Sequence, residues 1–232
     1  MKRVSYNIRK AIGLDRRRKP GRILDVINAL EGDIVVLQEA DKRLGARPPA
    51  LPLSLLSAHS DFTPAPLGQN GISLGYHGNT ILLRKGLGLV SARPIPLPGL
   101  EPRGAVEVEV TGGLRVVGVH LGLMRRHRRL QLAALSAALD DRTGPTAILG
   151  DFNEWSPVQG LEALGQRFTI YSPGRSFHAA RPVAALDRIA LSPGIELCAA
   201  GVEQGPLARI ASDHLPIWAR ISITDAPDDF SR

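Results

Sequence analysis

The sequence predicts an α/β fold in which two β-sheets pack face to face with helices outside, and three observations lead there. Several short apolar runs each stop at a polar residue, the pattern of buried strands that deliver one side chain to an edge of a sheet. These runs alternate with amphipathic helical stretches. The segment Asp33 to Glu39 (DIVVLQE) matches Pro145 to Asp151 (PTAILGD) in form, and the hairpin strands that follow each correspond too. The spacing is too irregular for a solenoid, which leaves two similar halves stacked together.

Taken in order, the chain reads as a strand from Arg3 to Ile8, a helix from about Pro20 to Leu30 and a strand from Asp33 to Gln38. Pro20 suits a first helical turn, where its missing N–H costs nothing. Residues 45 to 72 are rich in Pro, Gly and Ser around a short helical stretch, Leu53 to His59, and read as a long surface excursion. Strands resume at Thr80 to Leu83, Leu87 to Arg93, Ala105 to Val110 and Leu114 to Leu121, with Thr111-Gly112-Gly113 as a hairpin turn. A helix is expected over Arg125 to Leu139, with Leu130, Leu132, Ala133, Leu135 and Leu139 on its apolar side. Arginines crowd its first turn, where they oppose the helix dipole. After it come a strand at Thr146 to Leu149, a short helix near Val158 to Leu164, and strands near Ala185 to Leu191, Ile195 to Val202 and Pro216 to Ile223. One domain over residues 1–224 and a frayed polar tail, 225–232, are expected.

Composition narrows the function classes. In 232 residues, 44% are hydrophobic and 22% charged, with Gly 24 and Pro 18 in no repeat, so a collagen-like or disordered chain is excluded. Cys198 is the single cysteine, which rules out an internal disulfide and a cysteine-based zinc site. No apolar run is long enough to span a bilayer, and the opening MKRVSYNIRK lacks the apolar core of a signal peptide, so a cytoplasmic monomer is expected. The formal charge of +7 favours anionic partners. Arginine carries most of it, which suits bidentate phosphate recognition and equally fits a plain compositional bias.

The polar residues at the strand ends are Asn7, Glu39, His120, Asp151 with Asn153, Asp187, and Asp213 with His214. Each alone is an ordinary turn former, cap or solvated side chain. As a set they include the hard oxygen donors Asn7, Glu39, Asp151, Asn153 and Asp213, which is what Mg²⁺ or Mn²⁺ takes. The two histidines are left for proton or phosphate work.

Six segments, Ser5-Tyr6-Asn7-Ile8, Leu37-Gln38-Glu39, Gly118-Val119-His120-Leu121, Gly150-Asp151-Phe152-Asn153, Leu186-Asp187-Arg188-Ile189 and Ser212-Asp213-His214-Leu215-Pro216, resemble in content and order the motifs of the endonuclease/exonuclease/phosphatase superfamily, the deoxyribonuclease I-like metal-dependent phosphoesterases. The resemblance spans about residues 3 to 222. It implies a four-layer α/β sandwich, two packed mixed sheets flanked by helices, with a Mg²⁺ or Mn²⁺ site at the strand ends. It further implies Glu39 as principal metal carboxylate, helped by Asn7 and Asp213, and Asp187 with His214 as a carboxylate–histidine pair in which His214 takes a proton from the attacking water. Asp151 and Asn153 would orient the nucleophile or support a second ion. His120 would contact the scissile phosphate and protonate the leaving oxygen. Arg103, before the strand that starts at Gly104, Arg125 and Arg129 of the cluster Arg125, Arg126, Arg128 and Arg129, and Asn79 fall where substrate contacts are expected, although a solvated face is the expectation for at least two of the four helix arginines.

Two rivals are set aside on context. Gly71-Ile72-Ser73-Leu74-Gly75 fits a nucleophile-elbow pattern with Asp187 and His214 following in hydrolase order, but it lacks the strand before and helix after that the elbow needs. A non-catalytic binding protein on the same fold would normally have lost a ligand or a histidine, and every motif position here is chemically competent. His59, His77, His127 and His178 lack metal spacing and read as surface or loop residues; Trp155 reads as a core residue or one packed over the site. Glu39-Ala40-Asp41 differs from the Thr-Lys that follows this Glu in apurinic endonucleases. The expected activity is a Mg²⁺- or Mn²⁺-dependent phosphodiesterase acting by in-line attack of water. DNA or RNA is the leading substrate, and a phospholipid headgroup or small phosphoester is the alternative.

Overall fold

Strands that are apolar on both faces need cover on both faces, and the chain supplies it in four layers. The computed structural model describes residues 1–43, 45–141, 143–156 and 159–224, so the expected tail, 225–232, lies outside the described residues. In chain order the strands are β1 (Lys2–Asn7), β2 (Ile34–Gln38), β3 (Phe62–Pro64), β4 (Thr80–Arg84), β5 (Leu89–Pro96), β6 (Gly104–Val110), β7 (Arg115–His120), β8 (Thr146–Asp151), β9 (Thr169–Tyr171), β10 (Asp187–Leu191), β11 (Ile195–Val202) and β12 (Ile217–Ile223). The helices are α1 (Pro20–Ala29), α2 (Leu53–His59), α3 (Arg125–Asp140), α4 (Glu162–Gly165) and α5 (Ala208–Ala211).

Two six-stranded mixed sheets result, ordered β11-β12-β1-β2-β4-β3 and β5-β6-β7-β8-β10-β9. Position by position they repeat one plan, a central parallel pair (β1–β2, β7–β8) with antiparallel neighbours on either side. β2 and β8, the two segments that match in sequence, occupy equivalent places. Alternate residues serve alternate faces. In β2, Val35 and Leu37 join the core under α1 and α2, while Ile34 and Val36 join the core between the sheets. In β7 and β8, Val116, Ala147 and Leu149 face the inter-sheet core, while Val117, Val119 and Ile148 pack with Leu132, Leu135 and Leu139 of α3. At Gly118 the sheets leave no room for a side chain, because a Cβ there would lie 2.6 Å from Val36 Cγ1.

Several boundaries differ from expectation, each for a local reason. The stretch 45–72 is more than a surface excursion. It holds α2 as expected, but Phe62–Pro64 adds an edge strand to the first sheet, and Ala50, Leu51, Leu56, Phe62 and Leu67 are buried. Isolated apolar residues between Pro and Gly show no period, yet each plugs one gap. On α3 the buried stripe is Arg128, Gln131, Leu132, Leu135 and Leu139, whereas Leu130 and Ala133, expected on it, are exposed. The polar members are tolerated because most of their groups are partnered: Arg128 donates to Leu123 O (2.6 Å) and pairs with Glu154 (2.8 Å), leaving only Nε without a partner, and Gln131 bonds Gly122 N and Pro98 O. The short helix expected from Val158 covers Glu162–Gly165; Val158 itself lies outside the described residues. Strand β9 and helix α5, each only a few residues long, carry no period that a sequence can show.

Candidate active site

Parallel neighbours end at the same edge, and this gathers the polar strand ends. In the first sheet Asn7 is in register with Gln38, directly before Glu39; in the second His120 is in register with Asp151. Asp187 opens the antiparallel β10 directly opposite Asp151, and Asp213-His214 lies just before β12. Glu39 (φ 55°) and Asn153 (φ 50°) hold left-handed backbone, a conformation that costs a non-glycine residue energy and that clusters at functional sites.

Asp151 is the hub. Its Oδ2 accepts from Asn7 Nδ2 at 3.0 Å and lies 3.4 Å from His120 Nε2 and 3.6 Å from His214 Nε2, while Oδ1 accepts from Asn153 N at 2.9 Å. His214 Nδ1 donates to Asp187 Oδ2 at 2.9 Å, an oxygen that also accepts from Ser176 Oγ at 2.5 Å. Burial alone would lower the His214 imidazole, but Asp187 first and Asp151 next outweigh it and hold it above the ordinary histidine value. Burial, reinforced by Asp187, raises the Asp151 carboxyl against the opposing pull of His214 and the Asn7 amide. His120 goes the other way. Burial, then Arg103 and His214, drive it well below the ordinary value. Since Arg103 Nη1 always donates, His120 Nε2 accepts from it at 2.7 Å, so the ring is neutral with its proton on Nδ1.

The donor set fits a hard divalent ion. Asp151 and Asp187 offer carboxylate oxygens within 4.8 Å of one another, and Asp187 Oδ1 is buried with no hydrogen-bond partner; His214, in the same cluster, is protonated and acts as a donor, not a ligand. Asn7, whose amide bonds Asp151, and the carboxylates of Asp213 and Glu39 supply further oxygen donors at the strand ends. Asp213 pairs with Arg9 Nε at 3.2 Å, and Glu39 pairs with Lys10 Nζ and has Arg43 Nη2 at 3.7 Å. Chain cations therefore already answer the negative potential of this edge. Asn7 is linked to the Asp213 segment through Ser212, whose Oγ donates to Asn7 O at 2.7 Å. Glu39 stands apart from the Asp151 hub but lines one cavity with His120 and Arg103.

The substrate-side candidates separate. Arg103 is buried, sits against His120 and pairs with Glu101 at 2.9 Å. Arg125 and Arg129 are exposed on α3; Arg125 reaches Gln159 at 3.3 Å, and Arg129 lines a groove between α3 and α4 that holds none of the strand-end residues. Arg126 is exposed as well, so three of the four clustered arginines lie on the solvated face. Asn79 is wholly buried, its amide donating to Gly104 O at 2.8 Å and so tying the two sheets together. Ser73 Oγ accepts from Gln69 N at 3.3 Å, and the serine that bonds Asp187 is Ser176, which closes the elbow reading. Trp155 is 62% exposed, edge-on to Phe177, whose ring lies 5.0 Å from His214; it forms a rim, not core.

Sequence reasoning missed Ser176, Lys10, Arg43, Arg47, His77 and Glu101. Lys10, three residues after Asn7, was the one with a usable signal; the others sit in loops without period. Of the histidines read as surface or loop, His127 is buried in α3 and His77 lines the cavity beside Glu39.

Residues 4–214 match the model of the Endonuclease/Exonuclease/phosphatase family. The chain belongs to this family. Within it, the Escherichia coli K12 protein YbhP, itself uncharacterized, is 29% identical over 95% of this chain and 95% of its own. Danio rerio TDP2, solved in complex with a single-strand DNA product, superposes with a TM-score of 0.73 at 18% identity, over 96% of this chain and 98% of that one. The Bacteroides thetaiotaomicron mannosyl-6-phosphatase Bt3783 does so with a TM-score of 0.73 at 16% identity, over 96% and 100%. Family and fold are thus phosphoesterase in type, and the solved neighbours handle chemically different phosphoesters.

Proposed function

We propose that the protein is a divalent-metal-dependent phosphodiesterase, a reading carried by the chain of contacts Asp187–His214–Asp151 set against Asn7 and the Arg103–His120 pair. Glu39 with Asn7 and Asp213 would hold the ion, which when bound supplies a Lewis acid for a phosphate oxygen. The remaining work falls to the chain. His214, kept cationic by Asp187 and Asp151, presents Nε2–H to a phosphate oxygen. Asp151, raised and partnered by Asn7 and Asn153, accepts the proton of the attacking water, whose oxygen forms the new bond to phosphorus. The ester P–O bond opposite breaks, and Arg103 steadies the departing charge while solvent returns a proton. This moves the proton-accepting role expected for His214 to Asp151, and the leaving-group role expected for His120 to its neighbour Arg103.

Nucleic acid and small phosphoesters both supply such a bond, and TDP2 with its DNA product and the mannosyl-6-phosphatase represent both classes. The net charge of +7 favours a polyanion. A cavity of about 280 Å³ beside Glu39 and His120 favours a small or chain-terminal ester, since it lies at the low end of small-molecule sites. The test is Mg²⁺- or Mn²⁺-dependent hydrolysis of bis-p-nitrophenyl phosphate by wild type, Glu39→Ala and His214→Ala, with loss of activity expected in both variants. Undiminished turnover in the variants would remove the site assignment. Added salt then separates the substrates, because polyanion hydrolysis weakens steeply and small-ester hydrolysis does not.

A further inference from the structure

The cavity beside Glu39 and His120 is lined by four cations, Lys10, Arg43, Arg47 and Arg103, and by three acids, Glu39, Asp41 and Glu101. Its charges do not cancel locally. Lys10 is taken by Glu39 and Arg103 by Glu101. Both oxygens of Asp41 are occupied by backbone, Oδ1 accepting from Leu74 N at 2.7 Å and Oδ2 from Gly75 N at 3.1 Å. Arg43 has only a long 3.7 Å contact to Glu39 Oε1, beside the Oε2 that Lys10 takes, and Arg47, which feels the charge of Asp41, makes no ion pair with a carboxylate among the described residues. Arg47 Nε is buried without a hydrogen-bond partner, so any ligand would meet the outer Nη2 edge of this guanidinium. Arg47 Nη1 donates to His77 Nδ1 at 3.0 Å, so the ring proton sits on Nε2 and makes His77 a donor as well. Burial and the charge of Arg47 keep that ring neutral by lowering its pKa.

Backbone strain marks the same place. Of the nine non-glycine residues with positive φ among the described residues, Lys10, Glu39, Arg47 and His77 line this cavity, and Arg9 and Asn153 belong to the strand-end site next to it. Left-handed backbone at non-glycine residues persists where the surrounding structure over-determines it, and such residues cluster at ligand sites.

We propose that Arg43, Arg47 and His77 form a second anion subsite that takes a phosphoryl group carried by the substrate itself, close to the phosphorus under attack; the substrate class is then a phosphodiester bearing an additional phosphate. The Arg43 guanidinium, the outer Nη2 of Arg47 and the His77 Nε2–H offer donors from separate directions, which suits the three oxygens of a phosphoryl group, and the cavity of about 280 Å³ suits a spacer of a few atoms. The proposal rests on the phosphodiesterase reading for what happens at the first phosphate, and on the cavity alone for the second.

The experiment has an arm that needs no catalysis. Calorimetry of the full-length protein in Mg²⁺ buffer compares propane-1,3-bisphosphonate, propylphosphonate and 4-phosphonobutyrate, none of which has an ester to cut. Wild type should bind the bisphosphonate about tenfold or more tighter than the other two, and Arg47→Ala and Arg43→Ala should each remove that preference, the yield of one charge-assisted contact. Arg43 is largely exposed, so its variant guards against a folding defect in the Arg47 one. Arg16→Ala, an exposed charge outside the cavity, should keep the wild-type preference. Equal affinity for the three ligands in wild type, or a preference that survives both substitutions, overturns the subsite. A second arm compares kcat/KM for p-nitrophenyl 3-phosphopropyl phosphate and p-nitrophenyl propyl phosphate, and the ratio should favour the first by about tenfold and fall toward one in Arg47→Ala. Failure to turn over either ester would refute the hydrolase reading, while the binding arm still decides the subsite.

Discussion

In the first sheet the parallel pair β1–β2 ends in Asn7 and Glu39; in the second, the equivalent pair β7–β8 ends in His120 and Asp151. The first pair is answered by fixed cations. Glu39 is half-buried against Lys10 and Arg43, and Arg9 lies beside Asp213. The second pair is enclosed, with Asp151 1% exposed and surrounded by two imidazoles and an amide. One topology used twice thus offers two platforms. Partial exposure and hard oxygen donors suit the first to holding an ion that displaces its chain counter-charges, while burial beside titratable rings suits the second to moving a proton.

That division can be broken by experiment. At saturating Mg²⁺, Asp151→Asn should lower kcat by about 10³- to 10⁴-fold, at the upper end for loss of a general base. Glu39→Ala should instead raise the Mg²⁺ concentration needed for half-maximal activity, read from the metal dependence of initial rates. If excess Mg²⁺ rescued Asp151→Asn and not Glu39→Ala, the roles assigned to the two sheets would be reversed.

Asp187→Asn should cost about 10²-fold in kcat or more, because the carboxylate that orients His214 and holds its charge is lost. The imidazole should also titrate at lower pH, followed by its ring-proton shifts. The sign for stability follows from the raised folded pKa. The His214 contribution is fully present below the unfolded value of about 6.5 and is lost as pH rises through the folded value. Urea unfolding of wild type should therefore show stability falling over that window, and the fall should shrink in Asp187→Asn.

Gly118→Ala should destabilise by about 1–3 kcal/mol, since a Cβ must enter between the stacked sheets against Val36 (2.6 Å) and Val106 (3.1 Å). The midpoint of urea unfolding checks it, and an unchanged midpoint would mean that the sheets are not held at this separation. The smallest effect is expected at the solvated face of α3: Arg129→Ala should change kcat/KM by less than about twofold, in line with surface substitutions generally. Arg103→Ala, beside His120, should act far more strongly in the same assay.

The strand ends were legible because each combines two local signals, an apolar run buried on both faces and the polar residue that stops it. Asn7, Glu39, His120 and Asp151 all fall at such junctions, and Asp187 opens its strand. Arg47, His77 and Glu101 come from connecting loops, where no period or motif distinguishes a cavity wall from a solvated turn. The stripe of α3 was partly misread for a related reason. Arg128 and Gln131 are buried only because Glu154, Gly122 and Pro98 wait there with partners. Ser176 had no signal either, although it bonds the carboxylate that controls His214.

By itself, the sequence determined the long central elements and which donor atoms stand at their ends, because strand burial and side-chain chemistry are local properties read residue by residue; the short β3, β9 and α5 were not among them. Only the tertiary structure decided where the protons sit, on His214 Nε2 and on His120 Nδ1, and which arginines face a cavity. Those states depend on burial and on charges brought within a few ångströms from positions as far apart as Asn7 and His214, and a Coulomb interaction is set by distance in space, not by distance along the chain.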